Sequence, residues 1–418
     1  MPWLQIQSGF GLCVLVLIAL ALSENRRAFN WRVVAIGIAL QIVIALVLLG
    51  VPIARNALLS LNGVVDALSS ATTAGTSFVF GYVGGGEAPF AVSAPQNNFS
   101  LAFSALPLVI VMSALSALLW YWKILPVIVK GLSAVLQKSL GLGGAVGLGA
   151  AANLFLGMIE APLPIRPYLA KLNRSELFML FTVGLATVAG TVMVLYASIL
   201  GPSVPGALGH ILVASFVSLL AAIVVARLMV PGEQPTSADA HMAVEYRSGM
   251  DAISRGTEDG LKLYLGILAM LIVMVALVAL ANIVIGNLPL VGGEPISVQR
   301  IFGWLFAPLV WLYGIPWDEA AAAGSLLGTK TILNEFIAYV NLAALPQGTL
   351  SPRSALIMVY ALCGFANLGS VGIMIAGVSN MVPERRHEIV QLSLKALVSG
   401  TIATGMTGAV VGMMPFIG

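Results

Sequence analysis

Two carboxylates stand in stretches where a carboxylate is costly. Glu160 lies in Asn153-Leu154-Phe155-Leu156-Gly157-Met158-Ile159-Glu160-Ala161-Pro162. Glu335 lies in Gly328-Thr329-Lys330-Thr331-Ile332-Leu333-Asn334-Glu335-Phe336. A charge at the centre of a bilayer costs about 2.5–3.5 kcal/mol even on insertion scales, so its presence points to function. Such a carboxylate can bind a cation, carry a proton or accept hydrogen bonds from substrate hydroxyls. The simplest role for Lys330 is a buried ion pair with a Glu that holds its segment together. Asp318 and Glu319 stand nearer the start of that segment and read as interfacial caps or supporting groups.

The lipid setting follows from composition. The chain has 418 residues, 59% of them apolar and 9% charged. A typical soluble chain carries roughly 25% charged residues. These charges cannot cover the surface of a water-soluble globule, so the chain is an all-α polytopic membrane protein. Its net charge of +3 bears on orientation, and no basic run with interleaved aromatics offers a nucleic-acid surface. Cys13 and Cys363 are far apart in apolar stretches, which excludes a disulfide scaffold or cysteine metal cluster. His210, His241 and His387 share no ligand spacing. No Gly-x-Ser-x-Gly elbow or phosphate loop is present, and Gly84-Gly85-Gly86 lacks a strand–helix context. The sequence reads as a non-enzyme without a resident cofactor.

A spanning helix needs about 20 largely apolar residues. Candidate spans run near 3–22, 33–52, 102–122, 176–200, 208–230, 262–285, 354–379 and 391–416. The first lacks a basic leader, and Arg26 and Arg27 follow it, so it reads as a retained span rather than a signal. Sixteen of the 20 basic residues fall in loops on one side of this arrangement. The positive-inside rule makes that side cytoplasmic and puts both termini outside. Residues 139–165 and 317–347 must then begin and end on the same side. Both are apolar, rich in Gly and Ala and interrupted by polar residues, as expected of re-entrant helical hairpins entering from opposite faces. Irregular backbone at such depth is tolerated where protein or a wet cavity surrounds it. Residues 53–100 read as interfacial helices with an external loop, 231–260 as a solvated linker and 296–310 as a further interfacial helix.

After each hairpin comes a span with an interrupted middle. The first interruption is Ala186-Thr187-Val188-Ala189-Gly190-Thr191 and the second Ala366-Asn367-Leu368-Gly369-Ser370. Gly with Ser, Thr or Asn weakens helix and frees backbone carbonyls. Either cluster alone suits close helix packing. Two in matching positions of units that start on opposite faces point to an inverted repeat with a midplane binding site, as in secondary transporters. A channel would instead require rings of identical filter elements. The organisation expected is 1–138, three spans with interfacial helices; 139–230, the first repeat; 231–316, a linker, span six and an interfacial helix; and 317–418, the second repeat.

These residues also carry a family resemblance. Gly157 to Pro162, Gly328-Thr329-Lys330 through Asn334-Glu335-Phe336-Ile337-Ala338-Tyr339, and Ala361 to Leu368 resemble stretches of the concentrative nucleoside transporters. Gly75 to Gly81 and Gly303 to Pro308 match as well, in the same order. The resemblance implies a homotrimer in a bacterial inner membrane. Each protomer would have a scaffold domain, a transport domain, eight spans and two opposed hairpins. It implies ion-coupled nucleoside uptake with sodium as coupling ion, proton coupling through Glu160 or Glu335 being the alternative. Sodium would be held by the Asn153 and Thr187 side chains and the Leu156 and Val188 carbonyls. Ribose would meet Glu335, Asn367 and Ser370. The base would meet Met158, Ile159 and Glu160, with Phe365 beside it. Ribose offers vicinal hydroxyl donors, for which an ionised carboxylate is a strong acceptor. Well-known members carry Gln-Thr where this chain has Met158-Ile159, which implies an altered base preference.

Overall fold

The protein is described by a computed structural model covering residues 2–28, 30–92, 99–232, 236, 246–293 and 295–415. Among the described residues every regular element is helical. The first half of the chain holds α1 (Pro2–Ala21), α2 (Trp31–Gly50), α3 (Pro52–Ser60), α4 (Asn62–Phe80), α5 (Leu108–Tyr121) and α6 (Ile124–Leu140). A single π turn, Leu101–Ala105, leads into α5. The amphipathic α6 falls in the basic stretch after the third expected span, where no helix was expected.

The expected first hairpin is only half helical. Its first arm is α7 (Gly144–Asn153). Its return is a series of turns, a short 3-10 stretch at Leu163–Ile165 and α8 (Arg166–Leu169). Pro162, Pro164 and Pro167 remove backbone donors there and forbid a continuous helix. Next come α9 (Arg174–Ala186), α10 (Gly190–Leu200) and α11 (Ala207–Met229). A capping box between Asn173 and Glu176 starts α9.

Residues 233–235 and 237–245 of the expected linker lie outside the described residues. From Gly249 the chain is already α12 (Gly249–Ile285), a 37-residue helix. Its polar first turns are carried by pairs such as Arg255–Asp251 at 3.0 Å and Lys262–Glu258 at 2.8 Å. Gly256 and Gly260 let α12 lie directly on α5: an added Cβ on either would come within 2.8 Å of α5 atoms. α13 (Val298–Leu312) and α14 (Trp317–Ile332) meet at a 113° bend. The second hairpin is α14 with α15 (Glu335–Ala343). α16 (Pro352–Leu362), α17 (Leu368–Met381) and α18 (Arg386–Gly412) complete the chain.

The order hairpin, broken helix, long helix therefore occurs twice, as α7–α11 and as α14–α18. The first break falls where expected, at residues 187–189. The second lies upstream of its expected place, at residues 363–367. The reason is local: Asn367 is the N-cap of α17, its Oδ1 accepting from the Ser370 N–H at 2.7 Å. Gly369 and Ser370 are therefore first-turn residues rather than part of the break.

The two breaks cross. A Cβ on Gly364 would lie 2.7 Å from the Ala186 carbonyl oxygen, so only glycine permits this approach. The Phe365 N–H donates to the Thr187 carbonyl at 3.3 Å. At one end of the bundle Glu24 accepts from Arg174 and Lys395, each at 3.0 Å. At the other, Arg353 ties together the carbonyls of Leu4, Gly314 and Gly412.

Candidate substrate and cation site

Glu335 owes its place to a helix start. The Asn334 side chain accepts from the Ile337 N–H at 2.9 Å and opens α15, leaving Glu335 in its first turn. The positive end of a helix dipole favours a carboxylate there. Glu335 is buried, and each of its oxygens has a donor. Tyr196 Oη donates to Oε1 at 2.6 Å, and Asn367 Nδ2 donates to Oε2 at 2.9 Å. Asn367 caps α17 with its other amide atom, so one side chain fixes both the helix start and the carboxylate. Each carboxylate oxygen accepts about two hydrogen bonds. The chain's own donors leave room on Glu335 for further ones.

Tyr196 was not foreseen. It stands in the apolar α10, and its ring packs at 5.2 Å from that of Tyr339 and 6.2 Å from that of Phe336. A lone Tyr in an apolar helix carries no sequence signal, because only the crossing of α10 with α15 gives it a partner.

The expected Lys330–Glu ion pair is absent: no acidic group comes within 4.0 Å of Lys330 among the described residues. Lys330 is fully buried in the last turn of α14, and its Nζ donates to the Ala361 carbonyl at 2.8 Å and to Thr404 Oγ1 at 2.9 Å. Ala361 is next to last in α16, where helix carbonyls lack intrahelical donors. The donor that would continue the helix, the Phe365 N–H, is turned to Thr187 instead. A helix-end carbonyl and a hydroxyl thus take the ammonium that a carboxylate was expected to take. Glu319 accepts from Ser351 Oγ at 3.2 Å, consistent with a group that caps the hairpin's entrance.

Of the four expected cation ligands, Asn153 and Thr187 are joined by a hydrogen bond and Val188 follows Thr187 in the first break, whereas the recorded bond of Leu156 is to the Ala152 carbonyl. Asn153 is the last residue of α7 and is buried, as is Thr187. The Asn153 amide donates to Thr187 Oγ1 and to the Val183 carbonyl at 3.3 Å. Thr187 Oγ1 in turn donates to the Val183 carbonyl at 2.9 Å. Val188 belongs to the break, and its N–H and carbonyl lie 3.4 Å and 3.5 Å from Ser215 Oγ of α11. Gly190 allows the turn at Leu154–Phe155 to approach: a Cβ there would stand 3.2 Å from the Phe155 carbonyl oxygen. These are neutral oxygens at the ends of two half-helices, a donor set that suits a hard monovalent cation.

Met158, Ile159 and Glu160 sit on the return of the first hairpin. Met158 is buried against α9: a Cβ on Gly184 would lie 3.0 Å from its own. Ile159 is wedged against α17, its Cγ2 lying 2.7 Å from a Cβ built on Gly377. Glu160 is half-buried and accepts from the Gly157 N–H at 3.2 Å. Phe365 is half-buried at the crossing of the breaks. The structure thus joins Glu335, Asn367 and Ser370 by hydrogen bonds and links them to Thr187 through Phe365. Met158 and Ile159 have their recorded close approaches to helices α9 and α17.

Comparison with known proteins identifies the family. The chain matches the family models "Na+ dependent nucleoside transporter N-terminus" over residues 10–83 and "C-terminus" over 210–412. A model described as "Nucleoside recognition" matches residues 102–203. The nucleoside permease NupC of Helicobacter pylori is 36% identical over 98% of this chain and 97% of its own. The sodium/nucleoside cotransporter 1 of Rattus norvegicus is 30% identical over 98% of this chain and 64% of its own. Among solved structures, CNTnw in an inward-facing substrate-bound state superposes with a TM-score of 0.90 at 36% identity, covering 98% of each chain. A CNTnw variant in an outward-facing state gives 0.91 at 34% identity, covering 99% of this chain and 98% of that one. These relatives are transporters rather than enzymes, and an all-helical, multi-pass membrane protein with two hairpins, two broken helices and a buried carboxylate between them is accounted for by one conclusion: the chain belongs to the concentrative nucleoside transporter family.

Proposed function

We propose that the protein imports nucleosides in symport with sodium by alternating access. The observation that carries the nucleoside half is the Glu335 carboxylate, held by Tyr196 and Asn367 with acceptor capacity to spare. Vicinal ribose hydroxyls are donors of matching number, and hydrogen bonds to a charged acceptor are the strong ones. Asn367 donates to one of those oxygens and is itself tied to the Ser370 N–H. Met158, Ile159 and Glu160 line the base side, with Phe365 beside the ring. The apolar Met158 and Ile159 favour bases that leave a polar edge in ordered water.

The sodium half is carried by Asn153, Thr187 and the carbonyls of Leu156 and Val188. The Asn153 amide bond to Thr187 would give way as the amide turns its oxygen to the ion. The matched family is described as Na+ dependent, which supports the choice of ion. In this reading residues 139–230 and 317–418 form a moving transport domain, and 1–138 with 231–316 form a scaffold. Three protomers assemble in a bacterial inner membrane with the termini outside.

The test is uptake of labelled nucleosides into proteoliposomes under an imposed gradient. Accumulation driven by sodium, with free bases failing to compete, is the expected result. Accumulation driven by a pH gradient and indifferent to sodium would transfer the coupling role to Glu160 or Glu335. Equilibration without accumulation would indicate a channel.

A further inference from the structure

The two units of the fold place matching elements around their breaks. In the first, Asn153 at the end of α7 reaches one carbonyl in the last turn of α9, that of Val183, and Ser215 on the following long helix touches the break. In the second, Lys330 in the last turn of α14 reaches one carbonyl in the last turn of α16, that of Ala361, and Thr404 on the following long helix completes its contacts. The elements match one for one: hairpin arm, broken helix, next helix. The difference is the atom at the meeting point, an amide in the first unit and an ammonium in the second.

The surroundings of Lys330 Nζ are those of a bound cation. Both recorded partners are oxygens, the Ala361 carbonyl and Thr404 Oγ1. The Thr404 hydroxyl proton is turned away to the Thr401 carbonyl at 3.2 Å, which leaves its lone pairs facing Nζ. Two helix C-termini, those of α14 and α16, converge there, and their dipole ends favour positive charge. Lys330 is fully buried, so no water shell substitutes for these ligands.

We infer that the Lys330 ammonium is a tethered cation, which holds in the second unit the place that the exchangeable ion takes in the first. This rests on the cation reading of Asn153 and Thr187 given above. One unit then loads and releases its cation each cycle, while the other keeps its own, and the chain couples through a single ion site.

The experiment compares Lys330→Ala, which leaves a space, with Lys330→Met, which fills it without charge. Both are reconstituted in proteoliposomes, and melting in detergent is followed in parallel. Initial uptake should fall about tenfold or more in each, the scale of losing hydrogen bonds to a charged group. Methylammonium should restore uptake and raise melting in Lys330→Ala but not in Lys330→Met or the parent protein. Raised sodium should also restore Lys330→Ala, with a steeper sodium dependence than the parent shows. Parent-like uptake by Lys330→Met would overturn the proposal. So would a Lys330→Ala protein that responds to neither cation in uptake, in melting or, where it cannot be purified, in nucleoside binding by membranes. The parent's own dependence on sodium or pH gradients is measured first. Its failure to use sodium would remove the coupling-ion reading and leave the tethered cation to the methylammonium result alone.

Discussion

At the break between α9 and α10 the Val183 and Val188 carbonyls meet Asn153, Thr187 and Ser215, all neutral. At the break between α16 and α17 the Ala361 carbonyl meets Lys330, and the helix starts nearby hold Glu335. The groups recorded at the first break are all neutral, whereas the second holds the Lys330 ammonium. In the proposed reading that difference lets two similar helix interruptions serve two cargoes. A site for a small ion that must leave again cannot be filled by a permanent charge. A site that recognises hydroxyls needs a rigid carboxylate, and a carboxylate at that depth must be held by helix starts and donors.

The comparison is broken most severely where the two breaks touch. Gly364→Leu drives a side chain into the Ala186 carbonyl and Thr404 Cγ2, 2.7 and 2.8 Å from an added Cβ. The cost should lie at or beyond the upper end of the ~1–3 kcal/mol typical of overpacking. Loss of folded protein in a detergent melting assay is the expected outcome, and normal melting would show that the crossing is loose. Glu335→Gln follows, at about 1.5–3 kcal/mol of nucleoside binding for a hydrogen bond to a charged group. All nucleosides should weaken together, because they share ribose; unequal losses would place the base near Glu335. Next come Asn153→Ala and Thr187→Ala, each expected to raise the sodium concentration for half-maximal uptake several-fold while the nucleoside ranking holds, since a lost neutral hydrogen-bonding group is worth about 0.5–1.5 kcal/mol. Replacing Met158 and Ile159 together by Gln and Thr should reorder uridine, cytidine, adenosine and guanosine with small change in rate. An unchanged order would assign both residues to packing against Gly184 and Gly377.

The smallest effect concerns pH. The Arg174 guanidinium, hydrogen-bonded to Glu24, holds that carboxyl below its usual range, with Lys395 acting in the same sense against partial burial. A lowered folded-state value means that the pair stabilises the protein above the usual carboxylate range. The gain is lost as pH falls through the lowered value. The pair is half-exposed, so roughly 0–1 kcal/mol is at stake. Glu24→Gln should slightly lower melting at neutral pH and leave it unchanged at acid pH, and equal effects at both would remove the charge from the account.

Much of this architecture was legible because lipid leaves few options. Spans, hairpins and the first break followed from apolar length and from Gly with Thr. The carboxylates stood out because burial makes them costly. The partners did not stand out. Lys330 and Glu335 are close in sequence and opposite in charge, which suggests an ion pair; only the position of the α16 carbonyls shows why the ammonium turns elsewhere. Tyr196 lies 139 residues from Glu335 in sequence, and local pattern cannot register such a meeting. The return of the first hairpin was expected to be helical from its apolar run, yet its prolines decide otherwise. In the second break Gly369 and Ser370 resembled an interruption, when Asn367 makes them a helix start.

The hydrogen bond from the Phe365 N–H to the Thr187 carbonyl has a thermodynamic consequence. Thr187 belongs to the proposed ion half of the site and Phe365 to the nucleoside half, so the two ligands bind to strands that share a bond. Reciprocity then fixes the bargain between them: whatever factor sodium adds to nucleoside affinity, the nucleoside adds to sodium affinity. A linkage of about 1–3 kcal/mol corresponds to roughly 5–150-fold in either direction. Neither ligand needs a relay of side chains to sense the other. In the proposed reading, this shared joint is where the two affinities are linked.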